Sequence, residues 1–167
     1  MDRRILVVYA TRYGATAEIA EAVAQVLREA GLRADVRPAD RVGDLASYEA
    51  VVLGSAIYVG QWLKEAVTFL KTNAQALAER KVWLFSSGPT GEGDPVALVD
   101  GKQVPDALQP TLDCIRPRGI AVFHGVLDTD ELSFVERVMI KNIQPPLGDF
   151  RDWDAITSWA TAIAGTM

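Results

Sequence analysis

Two hydrophobic patterns alternate along this chain: short unbroken apolar runs, and longer stretches with a helical period. Ile5, Leu6, Val7, Val8 and Tyr9 form the first run. Its β-branched and aromatic content predicts a strand buried on both faces. Ile19, Val23, Val26, Leu27 and Ala30 follow at spacings of four, three, one and three, which predicts an amphipathic helix stopped by Gly31. Ala34, Asp35 and Val36 read as a short strand closed by Pro38, and 40–48 as a polar connection with one helical turn near Leu45. Ala50, Val51, Val52 and Leu53 make a third strand. Leu63, Ala66, Val67, Leu70, Ala74 and Leu77 then predict one continuous helix, with Lys64, Glu65 and Lys71 on its outer side. Val82, Trp83, Leu84 and Phe85 make a fourth strand, 86–95 a long loop, 104–115 a weaker helix, and Ile120, Ala121, Val122 and Phe123 a fifth strand. A helix is expected over 132–143. After Pro145 and Pro146 a last one is capped near Asp152, with Trp153, Ile156, Trp159, Ala160 and Ile163 on one face.

Strands and helices thus alternate, and all the strands but the short alternating one at 34–36 are apolar throughout. That calls for an α/β fold: a parallel sheet covered by helices on both sides, joined by right-handed crossovers. No repeat, low-complexity tract or linker interrupts the pattern, so one domain over 1–167 is expected. In such sheets ligands lie at the carboxyl ends of the strands. Three segments leave those ends with ligand-like composition, 11–16, 55–61 and 86–94.

The first of these, Thr11, Arg12, Tyr13, Gly14, Ala15 and Thr16, sits on the head of the first helix. Free backbone N–H groups and the helix dipole favour an anion there. Two readings stand side by side: a phosphate loop, or an ordinary βα turn with Thr16 as N-cap. Two other nucleotide motifs fail. The Walker pattern needs a lysine before its Ser or Thr, and the dinucleotide fingerprint needs three spaced glycines where Gly14 stands alone.

The net charge of −5 argues against a nucleic-acid partner and fits docking onto basic proteins. The one cysteine, Cys114, permits no intrachain disulfide framework and fits a reducing compartment. Met1, Asp2, Arg3 and Arg4 lead straight into a strand, without signal-peptide layout. No apolar run approaches the roughly 18 residues of a membrane span. A cytoplasmic location is expected, with a peripheral contact on the inner face of the membrane left open. No metal site is expected.

Thr11, Arg12, Tyr13, Gly14, Ala15 and Thr16 resemble the hydroxyl-rich phosphate loop of flavodoxins. Gly54, Ser55, Ala56, Ile57, Tyr58, Val59 and Gly60 resemble their second flavin loop, and 86–94, with Gly91, Glu92, Gly93 and Asp94 inside, their third. The segments 9–14, 136–141 and 148–153 are similar to the branch of that family containing the menaquinone-dependent protoporphyrinogen IX dehydrogenases. The resemblance implies a flavodoxin-like doubly wound five-stranded sheet of order 2-1-3-4-5 that binds FMN. The flavin itself carries the electrons in such proteins. Carried over, Thr11, Arg12, Tyr13, Gly14, Ala15 and Thr16 surround the phosphate; Ser55, Ala56, Ile57, Tyr58, Val59 and Gly60 meet the ring; Ser87, Gly88, Pro89, Thr90 and Gly91 close its other side. No catalytic side chain is assigned. The third loop departs from electron-carrying flavodoxins in having Pro89 and Thr90 where an aromatic would stand. That leaves the ring open to a small-molecule substrate or a quinone. Arg12 adds a charge that pairs with the phosphate or sits in solvent.

Single residues carry paired readings. Tyr58 stacks on the flavin or is a surface tyrosine; Trp62 touches the cofactor or packs. His124, the only histidine, is an acid–base group or a bystander. Cys114 is expected buried and inert, and Trp153 and Trp159 are expected in the core. Leu132, Val135, Met139 and Ile143 form a stripe that is buried, or faces a quinone, a membrane or another protomer. Three functions compete: an FMN oxidoreductase dehydrogenating a porphyrinogen-type substrate and reducing a quinone, a flavodoxin that shuttles electrons between redox partner proteins, and a flavin-free interaction module.

Overall fold

The computed structural model describes residues 4–58, 60–90, 93–99, 101–127 and 148–167. The four apolar runs and the short stretch at 34–36 become the parallel strands β1 (Arg4–Ala10), β2 (Arg33–Pro38), β3 (Ala50–Tyr58), β5 (Lys81–Ser87) and β6 (Gly119–Phe123). They lie in the order β2-β1-β3-β5-β6. Counting these five alone gives the expected 2-1-3-4-5. A two-residue strand β4 (Gln61–Trp62) folds back antiparallel on β3, pairing Ile57 with Trp62 and Tyr58 with Gln61. β2 is an edge strand, which is why it can end on Pro38 without losing a ladder donor.

Helices cover both faces. On one side, α1 (Ala15–Glu29) and α6 (Trp153–Gly165) enclose Ile5, Val7, Ile19, Val23, Leu27, Val52, Phe85 and Ile156. On the other, α2 (Lys64–Thr72), α3 (Ala74–Ala78) and α5 (Gln109–Ile115) enclose Leu6, Val8, Leu53, Phe69, Leu70, Leu84 and Leu112. Apolar side chains thus fill both faces, as a sheet buried on two faces requires.

Several local expectations are corrected. The helix read across 63–77 breaks at Asn73, whose Nδ2 donates to Phe69 O at 2.9 Å and competes with the next helical turn. The helix over 104–115 begins later, at Gln109, after a 3-10 turn at Asp106–Leu108. Pro110 lacks an N–H and is confined to the first turn. Near Leu45 the expected turn is a single i→i+3 bond, from Tyr48 N to Leu45 O at 3.0 Å, and a 3-10 turn at Ala39–Arg41 precedes it. A short helix α4 (Pro95–Leu98), capped by Asp94 through Val96 N at 3.0 Å, occupies part of what reads as loop.

Cys114 is exposed, not buried. The inward residues of its helix are Leu112 and Ile115, and position 114 turns away from them. Trp153 is 41% exposed because it is the first helical residue, ahead of the turn that reaches the core. Arg151 stacks over its ring at 4.7 Å. Trp159 packs as expected, 5.9 Å from Phe85 and 5.5 Å from Phe123 between ring centroids. Asp152 caps α6 through Ala155 N at 3.1 Å. The helix read over 132–143 lies outside the described residues.

Phe85 also lies against Gly54. A Cβ built on Gly54 would stand 1.9 Å from the Phe85 ring. Gly54→Ala must therefore displace a fully buried aromatic beneath the ends of β3 and β5. The expected loss is about 1–3 kcal/mol or more, read as a lower urea midpoint; an unchanged midpoint would contradict the packing.

Candidate functional site

The strand register brings three of the sequence-predicted segments together. Ala10 stands beside Ser55, Ser55 beside Ser86, and Ala56 beside Ser87, which neighbours Phe123. The carboxyl ends of β1, β3, β5 and β6 thus form one edge. Ser55, Ala56, Ile57 and Tyr58 lie within β3 and Ser87 within β5. The second segment is therefore a strand end with its hairpin, not an irregular loop. Gly60 lies in that hairpin turn, and Val59 and Gly91 lie outside the described residues.

At this edge lies the head of α1. Its N-cap is Gly14, at φ 95, and no described side chain caps it. Only glycine takes that φ without strain. The first intrahelical bond runs from Glu18 N to Gly14 O, 3.1 Å. The N–H groups of Ala15, Thr16 and Ala17 therefore have no partner within the helix. Thr16 is not the N-cap; it sits one residue inside the helix, 2% exposed. Thr11 Oγ1 instead accepts from Gly14 N at 2.9 Å and closes the loop on itself. A Cβ built on Gly14 would meet nothing within 4 Å. The space beside Gly14 is open, and the N–H donors and the positive end of the helix at this point suit an anion.

Buried hydroxyl pairs fix this head to its neighbours. Thr16 Oγ1 and Ser87 Oγ are 2.8 Å apart, both residues 2% exposed, which ties α1 to the end of β5. Ser55 Oγ accepts from Leu63 N at 3.0 Å and donates to Ala56 O at 2.9 Å. Trp62 Nε1 donates to Ser86 Oγ at 2.8 Å, and Ser86 Oγ donates to Gln103 O at 2.6 Å. Trp62 is thus a packing residue with its polar atom satisfied. The side chains of Ser55 and Ser86 hold structure. Ser86 and Gln103 escape a reading by local motif because their partners are remote in sequence.

The third segment is fastened from the far side. Gly88 N donates to Phe123 O at 3.3 Å, Gly125 N to Pro89 O at 3.0 Å, and Phe150 N to Gly125 O at 3.0 Å. The last bond continues a two-stranded ladder of β7 (Val126–Leu127) and β8 (Gly148–Asp149). Arg151 anchors it: Nη2 and Nε meet the Asp149 carboxylate at 2.7 and 3.0 Å, and Nη1 stands 3.4 Å from Glu18 Oε2 on α1. The guanidinium holds the Asp149 carboxyl below the usual carboxylate range, and Asp149 in turn raises Arg151. His124 buries Nε2 with no hydrogen-bond partner among the described residues.

Arg12, Tyr13 and Tyr58 group at the mouth. The Arg12 guanidinium lies 4.7 Å from the Tyr58 ring centroid and 5.6 Å from that of Tyr13, and its Nε donates to Tyr13 Oη at 3.1 Å. Ile57 packs at the margin of the core on the α2 side. Pro89 and Thr90 are half-buried.

Comparison with known proteins places the chain in a class. A Flavodoxin domain model matches residues 6–154. The chain belongs to the flavodoxin domain family. Among individual proteins it is similar to protoporphyrinogen IX dehydrogenase [quinone] of Escherichia coli strain K12, 27% identical over 177 aligned positions that cover 96% of this chain and 94% of that one. Of solved structures, an archaeal flavodoxin superposes with a TM-score of 0.62 at 15% identity, covering 98% and 97% of the two chains. The Streptococcus pneumonia TIGR4 flavodoxin gives 0.62 at 18%, covering 98% and 99%. No helix among the described residues is long and apolar enough to cross a membrane.

The Thr16–Ser87 bond makes a direct prediction. Thr16→Val leaves the buried Ser87 hydroxyl without a partner and is expected to cost about 1–3 kcal/mol. Adding Ser87→Ala should recover part of that loss, so the double-mutant cycle in urea shows coupling of roughly 0.5–1.5 kcal/mol. Strict additivity would contradict the contact.

Proposed function

We propose that this chain is an FMN-dependent oxidoreductase that dehydrogenates a porphyrinogen-type substrate and passes the electrons to a quinone. The uncapped head of α1 carries the reading. The N–H groups of Ala15, Thr16 and Ala17 and the Thr11 and Thr16 hydroxyls fit a phosphate dianion, to which each hydrogen bond is charge-assisted. Thr11, Arg12, Tyr13, Gly14, Ala15 and Thr16 would surround it. Because the Arg12 guanidinium stacks on tyrosine rings, its share in that seat would be the backbone. Ser55, Ala56, Ile57, Tyr58, Val59 and Gly60 would lie along the ring, with Ser55 contributing main chain since its hydroxyl holds Leu63. Ser87, Gly88, Pro89, Thr90 and Gly91 would border the other edge. Bound there, FMN supplies the electron-accepting and electron-donating chemistry. The chain's own residues grip, orient and shield it.

The similarity to a dehydrogenase named for protoporphyrinogen IX and quinone supports the substrate classes. So does the third segment, where Pro89 and Thr90 put no aromatic over the ring. The second reading, a flavodoxin that only carries electrons between redox partner proteins, rests on the acidic charge of −5. A cytoplasmic site of action, with a contact at the inner membrane face for quinone access, follows from the first reading.

The FMN-reconstituted protein, mixed anaerobically with protoporphyrinogen IX and a menaquinone analogue, should form porphyrin. FMN uptake without porphyrin would leave the carrier; a colourless protein that takes up no FMN would remove both. For the seat itself, Thr11→Ala with Thr16→Ala should weaken FMN binding by at least about tenfold, ~1.4 kcal/mol, with a smaller effect on riboflavin. Unchanged FMN affinity would contradict it.

A further inference from the structure

Among the described residues two buried side-chain nitrogens make no hydrogen bond, Arg151 Nη1 and His124 Nε2. The first has the Glu18 carboxylate 3.4 Å away. The second has no such neighbour among the described residues, and a buried polar atom left unpaired costs free energy. His124 directly follows β6, between two bonds that tie the chain to the third segment: Gly88 N to Phe123 O and Gly125 N to Pro89 O. Ala121 and Phe123 face the α1/α6 core and Ile120 the opposite one. With the pairing continued to Gly125, His124 takes the Ile120 side, four positions nearer the carboxyl edge. Glycines let that edge close up. A Cβ on Gly125 would stand 2.6 Å from Gly88 Cα, and one on Gly88 3.0 Å from Ile57 O. Gly88 is thus held between the ends of β3 and β6, and His124 stands one residue from the junction of the second and third segments.

We infer that His124 is a ligand-binding residue at the ring end of the site, its Nε2 hydrogen-bonding the carbonyl-bearing edge of the flavin. The inference rests on the FMN reading given above, in which these two segments border the ring. With its hydrogen on Nε2 the imidazole is a donor there. A flavin offers carbonyl acceptors along one edge and only apolar carbon along the other, so a lone donor selects the first. The nitrogen is out of water before the ligand comes, and little ordering has to accompany the contact. Reduction adds negative charge to the ring system. A hydrogen bond to a charged acceptor is about twice as strong as one to a neutral acceptor. His124 therefore favours the reduced flavin and raises its midpoint potential. The contact is with the ring, which FMN and riboflavin share.

The test uses the full chain, without flavin and with FMN or riboflavin, and the variants His124→Phe, His124→Gln and His124→Asn. Glutamine places its amide nitrogen near the Nε2 position, asparagine near Nδ1. Because Phe removes an unpaired polar atom, His124→Phe should keep or raise the urea midpoint of the flavin-free chain. It should weaken oxidised FMN and riboflavin by a similar factor, about fivefold, and reduced FMN by about 25-fold. The difference, about fivefold, lowers the midpoint potential roughly 20 mV for a two-electron couple in which tenfold is about 30 mV. His124→Gln should restore most of both effects and His124→Asn little. The chain holds a single histidine, so its imidazole nitrogen NMR signals are unambiguous in untagged protein, and riboflavin should move Nε2 more than Nδ1. Loss of FMN affinity with riboflavin unchanged would place His124 at the phosphate, and a flavin-free chain destabilised by all three variants would make it a packing residue; either overturns the inference. So does an Nε2 signal that flavin leaves in place, an unchanged affinity and potential in His124→Phe, or Gln and Asn variants that behave alike. A wild-type chain that takes up neither flavin would remove the cofactor reading itself, and this inference with it.

Discussion

Backbone N–H groups at the start of a helix need a partner, and at α1 no side chain among the described residues caps them. Gly14 stands at the N-cap without a side chain to offer, and the Thr11 hydroxyl closes the loop on Gly14 N. Most helices end this need with Ser, Thr, Asp or Asn at the cap, and a cap lost to alanine costs about 1 kcal/mol. Leaving the position open keeps donors available for an external anion. The surrounding structure keeps those donors fixed in place.

That fixing is done by the sheet and by paired hydroxyls. The parallel register sets the ends of β1, β3 and β5 side by side. Each buried hydroxyl there has a partner: Thr16 with Ser87, Ser55 with Leu63, Ser86 with Trp62 and Gln103. Unpartnered, each would destabilise the fold; partnered, they brace the head of α1 against β5 and the end of β3 against α2. The Arg151 anchor does the same from the C-terminal side, where one guanidinium reaches both Asp149 and Glu18. A ligand at this edge therefore meets a surface already in position, and less ordering has to accompany binding.

The large elements were legible because their signals are local. Four apolar runs and one short alternating stretch became five strands, and the Ile19, Val23 and Leu27 stripe became the helix that buries them. Asp152 was readable as a cap. What escaped depends on remote partners or on elements too short to show a period. The Thr16–Ser87 bond joins residues 71 apart, and Trp62–Ser86 residues 24 apart. β4 has two residues, and α4 has four. Asn73 broke an otherwise regular helical stripe through one side-chain bond. Cys114 read as buried because cysteine usually is, but its turn of helix faces outward. The site followed the same division. The segment 11–16 could be singled out as a candidate from its residue types, whereas the reach of Arg12 to Tyr58 is a property of the fold.

The account depends on a seat for a doubly charged group at one helix end. Calorimetric titration of the unmodified chain with FMN and with riboflavin, at one salt concentration, isolates that seat, because the two ligands differ by the phosphate alone. The account predicts that FMN binds tighter by at least about thirtyfold, ~2 kcal/mol, the order of one or two charge-assisted hydrogen bonds. Equal affinity for the two, or tighter binding of riboflavin, would contradict it.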